Sequence, residues 1–144
     1  MLRYFPLFVL LMVGCISGCN KGPELVPVSG KVTIEGKPVK AGFVRALPRD
    51  GRPALGKIEP DGTFKLQTDK KDGVLVGEYP IEIIAFETKN RQKIWYAPMT
   101  YNDYLKSELT AKIEGPTENL TFDLKWDTEE HRAAGYFKEA LVVE

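Results

Sequence analysis

Cysteine and histidine are almost absent from this chain of 144 residues. It contains two cysteines, Cys15 and Cys19, and a single histidine, His131. The chain after residue 19 therefore has no disulfide and must be held together by its hydrophobic core. Zinc sites usually need three or four His, Cys or carboxylate ligands at defined spacing, which one histidine does not provide. We therefore expect no metal and no cofactor.

An excess of charge of one sign is also lacking. The 20 basic and 20 acidic residues give a formal net charge of +0 at pH 7. Proteins that bind nucleic acid usually carry a basic patch and an excess of Lys and Arg. The balance therefore argues against nucleic acid as a partner.

Sequence motifs of catalysis are missing as well. The chain has no Gly-x-Ser-x-Gly elbow, no Walker-type loop and no dinucleotide-binding glycine loop. A pair of carboxylates, Asp69 and Asp72, fits glycoside hydrolysis only formally, because the neighbouring lysines and glycine indicate a solvated loop. The sequence predicts a protein that is not an enzyme, with a hydrolase as the weakest alternative.

The first eighteen residues have the layout of an export signal. Arg3 is followed by an uncharged apolar stretch over residues 4–13. That stretch is shorter than the roughly 20 apolar residues that a membrane-spanning helix needs. It lacks the Ala-x-Ala ending of a plain secretory signal and ends instead in Ile-Ser-Gly-Cys at residues 16–19.

This ending resembles the lipobox of bacterial lipoproteins, in which an aliphatic and two small residues precede a lipidated cysteine. The resemblance implies cleavage after residue 18, lipidation of Cys19 and attachment to a membrane of the bacterial cell envelope. Cys15, preceded by Met-Val-Gly, is a poorer alternative. Asn20 differs from the aspartate that retains lipoproteins at the inner membrane of well-studied bacteria, which favours the outer membrane.

Residues 19–25 form a short tether between the lipid and the first patterned segment. Even fully extended, the six residues after the cysteine span only about 20 Å. We expect the folded domain to lie close to the bilayer surface.

From residue 26 onward, apolar and polar residues alternate, which is typical of half-buried strands. The segments predicted as strands are 26–35, 43–47, 54–58, 63–68, 79–88, 108–113 and 120–126. The last two are predicted to form a hairpin. Seven short strands with regular turn signals predict an all-β domain over residues 26–126, a seven-stranded antiparallel β-sandwich with an immunoglobulin-like Greek key.

The pattern changes to helical spacing after residue 126, so residues 127–144 are predicted as a helical tail. Asp127 is a candidate N-cap, with Glu130 closing a capping box. One face of this helix would carry Ala133, Ala134, Phe137, Ala140 and Leu141. The helix would either pack on the edge of the sandwich or bind a partner or the membrane.

Several motifs resemble those of carboxypeptidase regulatory-like domains, which have a transthyretin-like fold. They are Val-Ser-Gly-Lys-Val at 28–32, Asp-Gly-Thr-Phe at 61–64, Gly-Glu-Tyr at 77–79 and Asn-Leu-Thr-Phe-Asp-Leu at 119–124. The chain is especially similar to the small lipoproteins of this type in planctomycete bacteria. The resemblance implies a transthyretin-like β-sandwich and an exported location, but no activity.

A basic and aromatic segment follows the fifth predicted strand and is expected to be a loop. Its candidate binding residues are Lys89, Arg91, Lys93, Trp95, Tyr96, Tyr101 and Tyr104. Arg and aromatic residues favour a binding surface for a glycan, an anionic headgroup or a protein. Alternatively, the aromatic side chains close one end of the sandwich and the lysines are merely solvated. Exposure of Trp95 would favour the first interpretation.

These observations predict a lipid-anchored, non-catalytic binding or structural module that contacts another protein of the cell envelope. The alternative is a module that binds carbohydrate or cell wall through residues 95–104.

Overall fold

The computed structural model describes residues 22–140, which are mostly β-strand. The predicted export signal and Cys19 lie outside these residues. The strands are β1 (Val28–Ile34), β2 (Lys37–Pro38), β3 (Gly42–Ala46), β4 (Ala54–Ile58), β5 (Thr63–Lys65), β6 (Gln67–Thr68), β7 (Lys71–Asp72), β8 (Gly77–Ile84), β9 (Phe86–Lys89), β10 (Gln92–Trp95), β11 (Thr110–Ile113), β12 (Thr117–Leu124) and β13 (Phe137–Ala140). The helices are a 3-10 turn (Met99–Asn102), α1 (Tyr104–Ser107) and α2 (Glu129–Ala134). The all-β class is confirmed.

These strands form three sheets. A six-stranded sheet has the order β11-β8-β3-β4-β6-β7, and all of its neighbouring strands are antiparallel. A four-stranded sheet has β1 at its centre, with β12 on one side and β2 and β5 on the other. The smallest sheet has the order β13-β10-β9. Antiparallel pairing thus predominates, as the period-two pattern predicts.

The pair β1 and β12 departs from that rule because the two strands run parallel, from Val28 opposite Thr117 to Ile34 opposite Leu124. The predicted hairpin between residues 108–113 and 120–126 is therefore wrong. β11 pairs with β8 in the six-stranded sheet, whereas β12 pairs with β1 in the other. Alternation marks both segments as strands, but it carries no information about which strand each one joins.

Three hairpins have two-residue turns in which both central residues have positive φ, as a type I′ turn requires. Glu35 and Gly36 join β1 to β2, and residues 69–70 join β6 to β7. Asn90 and Arg91, with φ of 51° and 59°, join β9 to β10. The expected loop after residue 88 is thus a hairpin over its first part. The sequence contains no glycine at this turn to mark it.

One hydrophobic core serves both larger sheets. Val32 and Leu124 from the four-stranded sheet are fully buried, as are Val44, Ile81 and Ile83 from the six-stranded sheet. All five belong to the same cluster. Val32, Val44 and Leu124 alternate with more exposed neighbours, as a half-buried sheet requires, whereas β8 is buried continuously from Ile81 to Ile83.

The tail folds differently from the predicted long helix. Helix α2 covers only six residues, and its N-cap is Thr128, whose hydroxyl accepts from the backbone N–H of His131, rather than Asp127. It ends at Gly135, which has a φ of 71° and donates its N–H to the carbonyl of His131, a common helix C-terminus. Phe137 then begins β13, which pairs with β10. Leu141 lies outside the described residues.

The strand directions define two ends of the domain. The tether end comprises residues 22–27, the loop 47–53 and residues 69–76, here called the loop 69–76 although they include the two-residue strand β7. Residues of all three segments line one cavity. The tail end comprises α2 and the sheet of β9, β10 and β13. Strand β8 begins next to the first end and continues through Ala85 into β9 at the second.

Candidate functional site

The candidate residues Lys89, Arg91 and Lys93 lie on the β9–β10 hairpin at the tail end. Lys89 and Arg91 are exposed at its turn. Lys93 is half-buried, with its ammonium 5.3 Å from the centre of the Phe86 ring and 5.9 Å from that of Trp95. The structure therefore uses one of the three cations to cover aromatic rings of its own chain.

Trp95 is buried, with 4% of its surface exposed. Its ring stacks on Phe137 with centroids 5.9 Å apart and lies 4.9 Å from the ring of Phe86. Its indole N–H donates to Glu139 at 3.1 Å. The side chain is thus enclosed by its own hairpin and by β13, and it does not form an open binding platform. This favours the interpretation that the aromatic residues close one end of the domain.

Tyr96 and Tyr101 are half-buried and make intramolecular hydrogen bonds. The Tyr96 hydroxyl donates to a Glu87 carboxylate oxygen at 2.5 Å. Burial, together with this hydrogen bond to a carboxylate, raises the pKa of Tyr96 to about 12. The Tyr101 hydroxyl accepts from the backbone N–H of Lys125 at 3.1 Å and so ties the 3-10 turn to the end of β12. The hydroxyl groups of both tyrosines are therefore already engaged in hydrogen bonds within the chain.

Tyr104 is the exception among the aromatic candidates, because 45% of its surface is exposed. It begins α1, whose N-cap Asp103 accepts from the backbone N–H of Leu105 at 2.9 Å. Together with Leu47, Pro80 and Thr110 it lines a groove of about 660 Å³. This groove borders the outward side of the six-stranded sheet.

That outward side, here called the outer face, is formed by β3, β4 and β8 and carries Phe43, Arg45, Leu55, Glu82 and Ile84. Phe43 and Leu55 are 40% and 45% exposed, although both are large and apolar. Phe43 lies directly opposite Ile84, and Arg45 lies opposite both Leu55 and Glu82. Three apolar side chains on adjacent strands thus surround one arginine.

An ion pair holds that arginine in place. The Arg45 guanidinium donates to Glu82 at 2.7 Å, and the Glu82 side chain is only 9% exposed. A short hydrogen bond between two charged groups, one of them nearly buried, fixes the arginine side chain more firmly than an exposed pair would. The outer face is therefore an ordered surface with both apolar and cationic parts.

None of the candidate residues predicted from the sequence lies on the outer face, although the sequence contains a signal for it. Phe43 and Leu55 alternate with the buried residues Val44 and Ala54, so they occupy positions where a polar side chain is expected. Apolar residues that lie next to one another on the solvent side of adjacent strands, unlike single ones, are typical of a contact surface. The basic and aromatic segment is the more conspicuous pattern because its residues lie within sixteen positions of one another, whereas the outer face is assembled from three strands.

None of the helices between residues 22 and 140 has both the length and the apolar character that crossing a membrane requires. Within the same residues, His, Asp and Glu side chains form no group of three or more that could hold a metal ion. Comparison with protein-family models, with curated proteins and with solved structures found no match.

Proposed function

We propose that this protein is an exported lipoprotein, anchored through Cys19, whose β domain is a non-catalytic module that binds another protein of the cell envelope. The observation that carries the binding role is the outer face, where Phe43, Leu55 and Ile84 surround an ordered Arg45. The lipobox-like residues 16–19 support the anchor.

The proposed fold is a transthyretin-like sandwich. It is supported by the two larger sheets, which contribute to one core, and by the position of the motif residues. Gly62 donates its N–H to the carbonyl of Glu59, which closes the turn of the Asp-Gly-Thr-Phe motif. Asp61 accepts from both the N–H and the hydroxyl of Thr63 within that turn. These are turn-forming roles, consistent with motifs that specify a fold rather than an activity.

The composition of the outer face suits a protein partner. Aromatic residues, including Phe, and Arg are enriched in protein–protein interfaces relative to the rest of the protein surface. Arg45 is already held by Glu82, so it loses little side-chain freedom when a partner binds. The Tyr104 groove beside this face offers a concave border for such a contact.

Two other functions find less support. A glycan platform at residues 95–104 depended on Trp95, which is enclosed by Phe86 and Phe137. The second is hydrolysis, for which the single histidine, His131, would be a candidate general base. Its ring lies 4.5 Å from that of Phe137, and its Nδ1 lies 2.9 Å from Asp127. Both contacts lie within the tail, and the ring of Trp126, 6.2 Å from that of His131, connects them to the end of the β domain.

The test is site-specific photo-crosslinking in cells that produce the full lipidated chain. A photoreactive residue is placed at position 43 and, separately, at position 55. The control position is Tyr136, which is aromatic and 39% exposed but lies at the tail end. We expect a discrete protein adduct from positions 43 and 55 and none from position 136.

A second variant tests the chemistry of the contact. Phe43→Asp places a charge on the outer face without disturbing the core, so the chain should still fold and lose the adduct formed from position 55. Equal adducts from all three positions, or adducts from position 136 alone, would contradict the proposal.

A further inference from the structure

The tether enters the fold beside two exposed aliphatic side chains. Val26 exchanges two backbone hydrogen bonds with Val74, at 2.8 and 3.0 Å. Gly22 and Leu75 line the same cavity, of about 300 Å³. The first described residues therefore lie against the loop 69–76.

This loop holds its apolar tip in a defined position. Leu75 is 38% exposed and Val76 is 58% exposed. The hydroxyl of the buried Tyr79 donates to the carbonyl of Leu75 at 2.7 Å. Both ends of this short segment are thus held, by Val74 on one side and by Tyr79 on the other, while two aliphatic side chains face solvent.

Chain length limits how far this tip lies from the lipid anchor. Gly22 is three residues after Cys19 in the sequence. Three extended residues reach about 10 Å. A lipid on Cys19 would therefore bring the tether end, rather than the tail end, against the bilayer surface.

We infer that Leu75 and Val76 insert into the interfacial region of the bilayer and orient the domain on it. The inference rests on the lipid anchor of the proposed function. An interfacial segment buries its apolar side chains about 5–10 Å deep at the boundary between headgroups and acyl chains. Two aliphatic side chains on a loop that reaches the bilayer match that requirement.

The charges of this end indicate what kind of lipid contact it makes. The tether and the loops 47–53 and 69–76 carry an excess of a single positive charge: Lys21, Arg49, Arg52, Lys70 and Lys71 against Glu24, Asp50, Asp69 and Asp72. Arg52 is paired with Asp69 at 2.8 Å. The contact therefore depends on apolar burial and not on attraction to anionic headgroups, which distinguishes it from a polybasic membrane site.

The experiment uses the full lipidated protein in phosphatidylcholine vesicles, with Val76→Cys labelled by an environment-sensitive fluorophore. Lipidation occupies Cys19, and Cys15 lies in the segment expected to be removed, so the new thiol is the single reactive one. The matched control is Arg91→Cys, at the hairpin turn of the tail end. We expect a blue-shifted emission that nitroxide-labelled lipids quench at position 76, and a water-like, unquenched emission at position 91.

Three further measurements test whether the contact is apolar and whether the lipid anchor is present. Adding Leu75→Ser to the labelled variant should reduce the blue shift, because the neighbouring anchor is lost. Replacing part of the lipid with anionic phosphatidylglycerol should leave the quenching unchanged, whereas an increase would point to headgroup attraction and overturn the apolar contact. Flotation of the protein with the vesicles reports the lipid anchor separately.

The outcomes separate the two proposals. Protein that floats but shows the same water-like emission at positions 76 and 91 overturns this inference and leaves the anchor standing. Protein that does not float overturns the anchor and this inference together.

Discussion

The two ends of the domain treat apolar side chains in opposite ways. At the tail end, the aromatic rings of Trp95, Phe86 and Phe137 pack against one another under a strand supplied by the chain itself. At the tether end, Leu75 and Val76 remain exposed on a loop that is nevertheless well connected. Apolar side chains at the tail end are thus covered by other residues of the chain, whereas those of Leu75 and Val76 at the tether end are exposed to solvent.

The two ends therefore differ in how exposed their apolar side chains are, and not only in residue type. The aromatic and basic residues around Trp95 predicted a binding surface, yet Trp95 packs on Phe137 of the tail, and the hydroxyl groups of Tyr96 and Tyr101 form hydrogen bonds within the chain. Leu75 and Val76, which form no sequence motif, are exposed and support the proposed contact with the bilayer better than Trp95 supports a binding surface. The following experiments test this contrast, from the largest expected effect to the smallest.

The largest effect is expected from Trp95→Ala. Removing a buried aromatic side chain deletes its contacts with Phe86 and Phe137 and leaves a cavity, which should lower the free energy of unfolding by about 3–5 kcal/mol. Tyr104→Ala, at an exposed aromatic, should change it by less than about 0.5 kcal/mol. Urea denaturation followed by far-UV circular dichroism measures both. Equally small decreases in the free energy of unfolding for both variants would mean that Trp95 is exposed to solvent.

An intermediate effect is expected from Gly73→Ala at the tether end. Gly73 has a φ of 105°, and an added Cβ would lie 2.5 Å from the carbonyl oxygen of Val26. Strain and the displaced strand pairing should together cost about 2–3 kcal/mol. Gly135→Ala at the tail end has a φ of 71° but open space around it, so it should cost about 1 kcal/mol.

Thermal denaturation of these two glycine variants gives the comparison directly. The amide of Val74 should also lose hydrogen-exchange protection in Gly73→Ala and keep it in Gly135→Ala. If Gly135→Ala proved the more damaging, the tail end would be the more tightly constrained of the two.

A smaller effect is expected at high pH, where each end contains one tyrosine with a raised pKa. Burial raises the pKa of Tyr79 at the tether end, and burial with the Glu87 hydrogen bond raises that of Tyr96 to about 12. A tyrosine that keeps its proton longer when folded contributes stability that is complete below pH 10. That contribution declines as the pH rises from about 10 towards the pKa of the folded state.

The change in unfolding free energy between pH 9 and pH 11 measures this contribution. Tyr96→Phe should flatten the decline more than Tyr79→Phe does, because a carboxylate near Tyr96 adds to the burial. The slope is compared rather than the absolute value, since each variant also loses a hydrogen bond. An unchanged slope in Tyr96→Phe would show that its hydroxyl is solvated in the folded protein.

The smallest effect concerns surface ion pairs. Arg132 pairs with both Glu35 and Glu129 at the tail end, whereas Arg52 pairs with Asp69 alone at the tether end. Arg132→Gln should lower the unfolding midpoint slightly at low salt, and the loss should shrink as salt screens the charges. Arg52→Gln should leave the midpoint unchanged. A larger loss from Arg52→Gln would indicate that its loop is held electrostatically.

Alternation in the sequence predicts where most of the strands lie, because burial of one sheet face imposes a period of two. Alternation does not predict which strands pair with one another. The parallel pairing of β1 with β12 joins residues that are far apart in the sequence, such as Thr33 and Asp123, which are 90 positions apart. Likewise, the burial of Trp95 depends on Phe137 and Glu139, which come from β13, far along the chain. No local pattern around residue 95 contains that information.

The tail shows the same limit in another form. Helical spacing of apolar residues after Trp126 predicts one continuous helix, yet Gly135 ends it and frees Phe137 to enter a sheet. Glycine is unfavourable within a helix, so Gly135 is a weak point of that pattern, but nothing in the tail sequence indicates that Phe137 enters a sheet. The outer face, by contrast, follows from Phe43 and Leu55 once their strands are known.

The central position of β1 has a mechanical consequence. The tether leads through Val26 directly into β1, which has hydrogen-bonded neighbours on both of its sides. A pull along the tether would meet the single bridge to Val74 first and then strain many strand hydrogen bonds at once, since they lie across the direction of force. The domain should therefore resist extraction by force applied at its N-terminal side more than a domain tethered through an edge strand would.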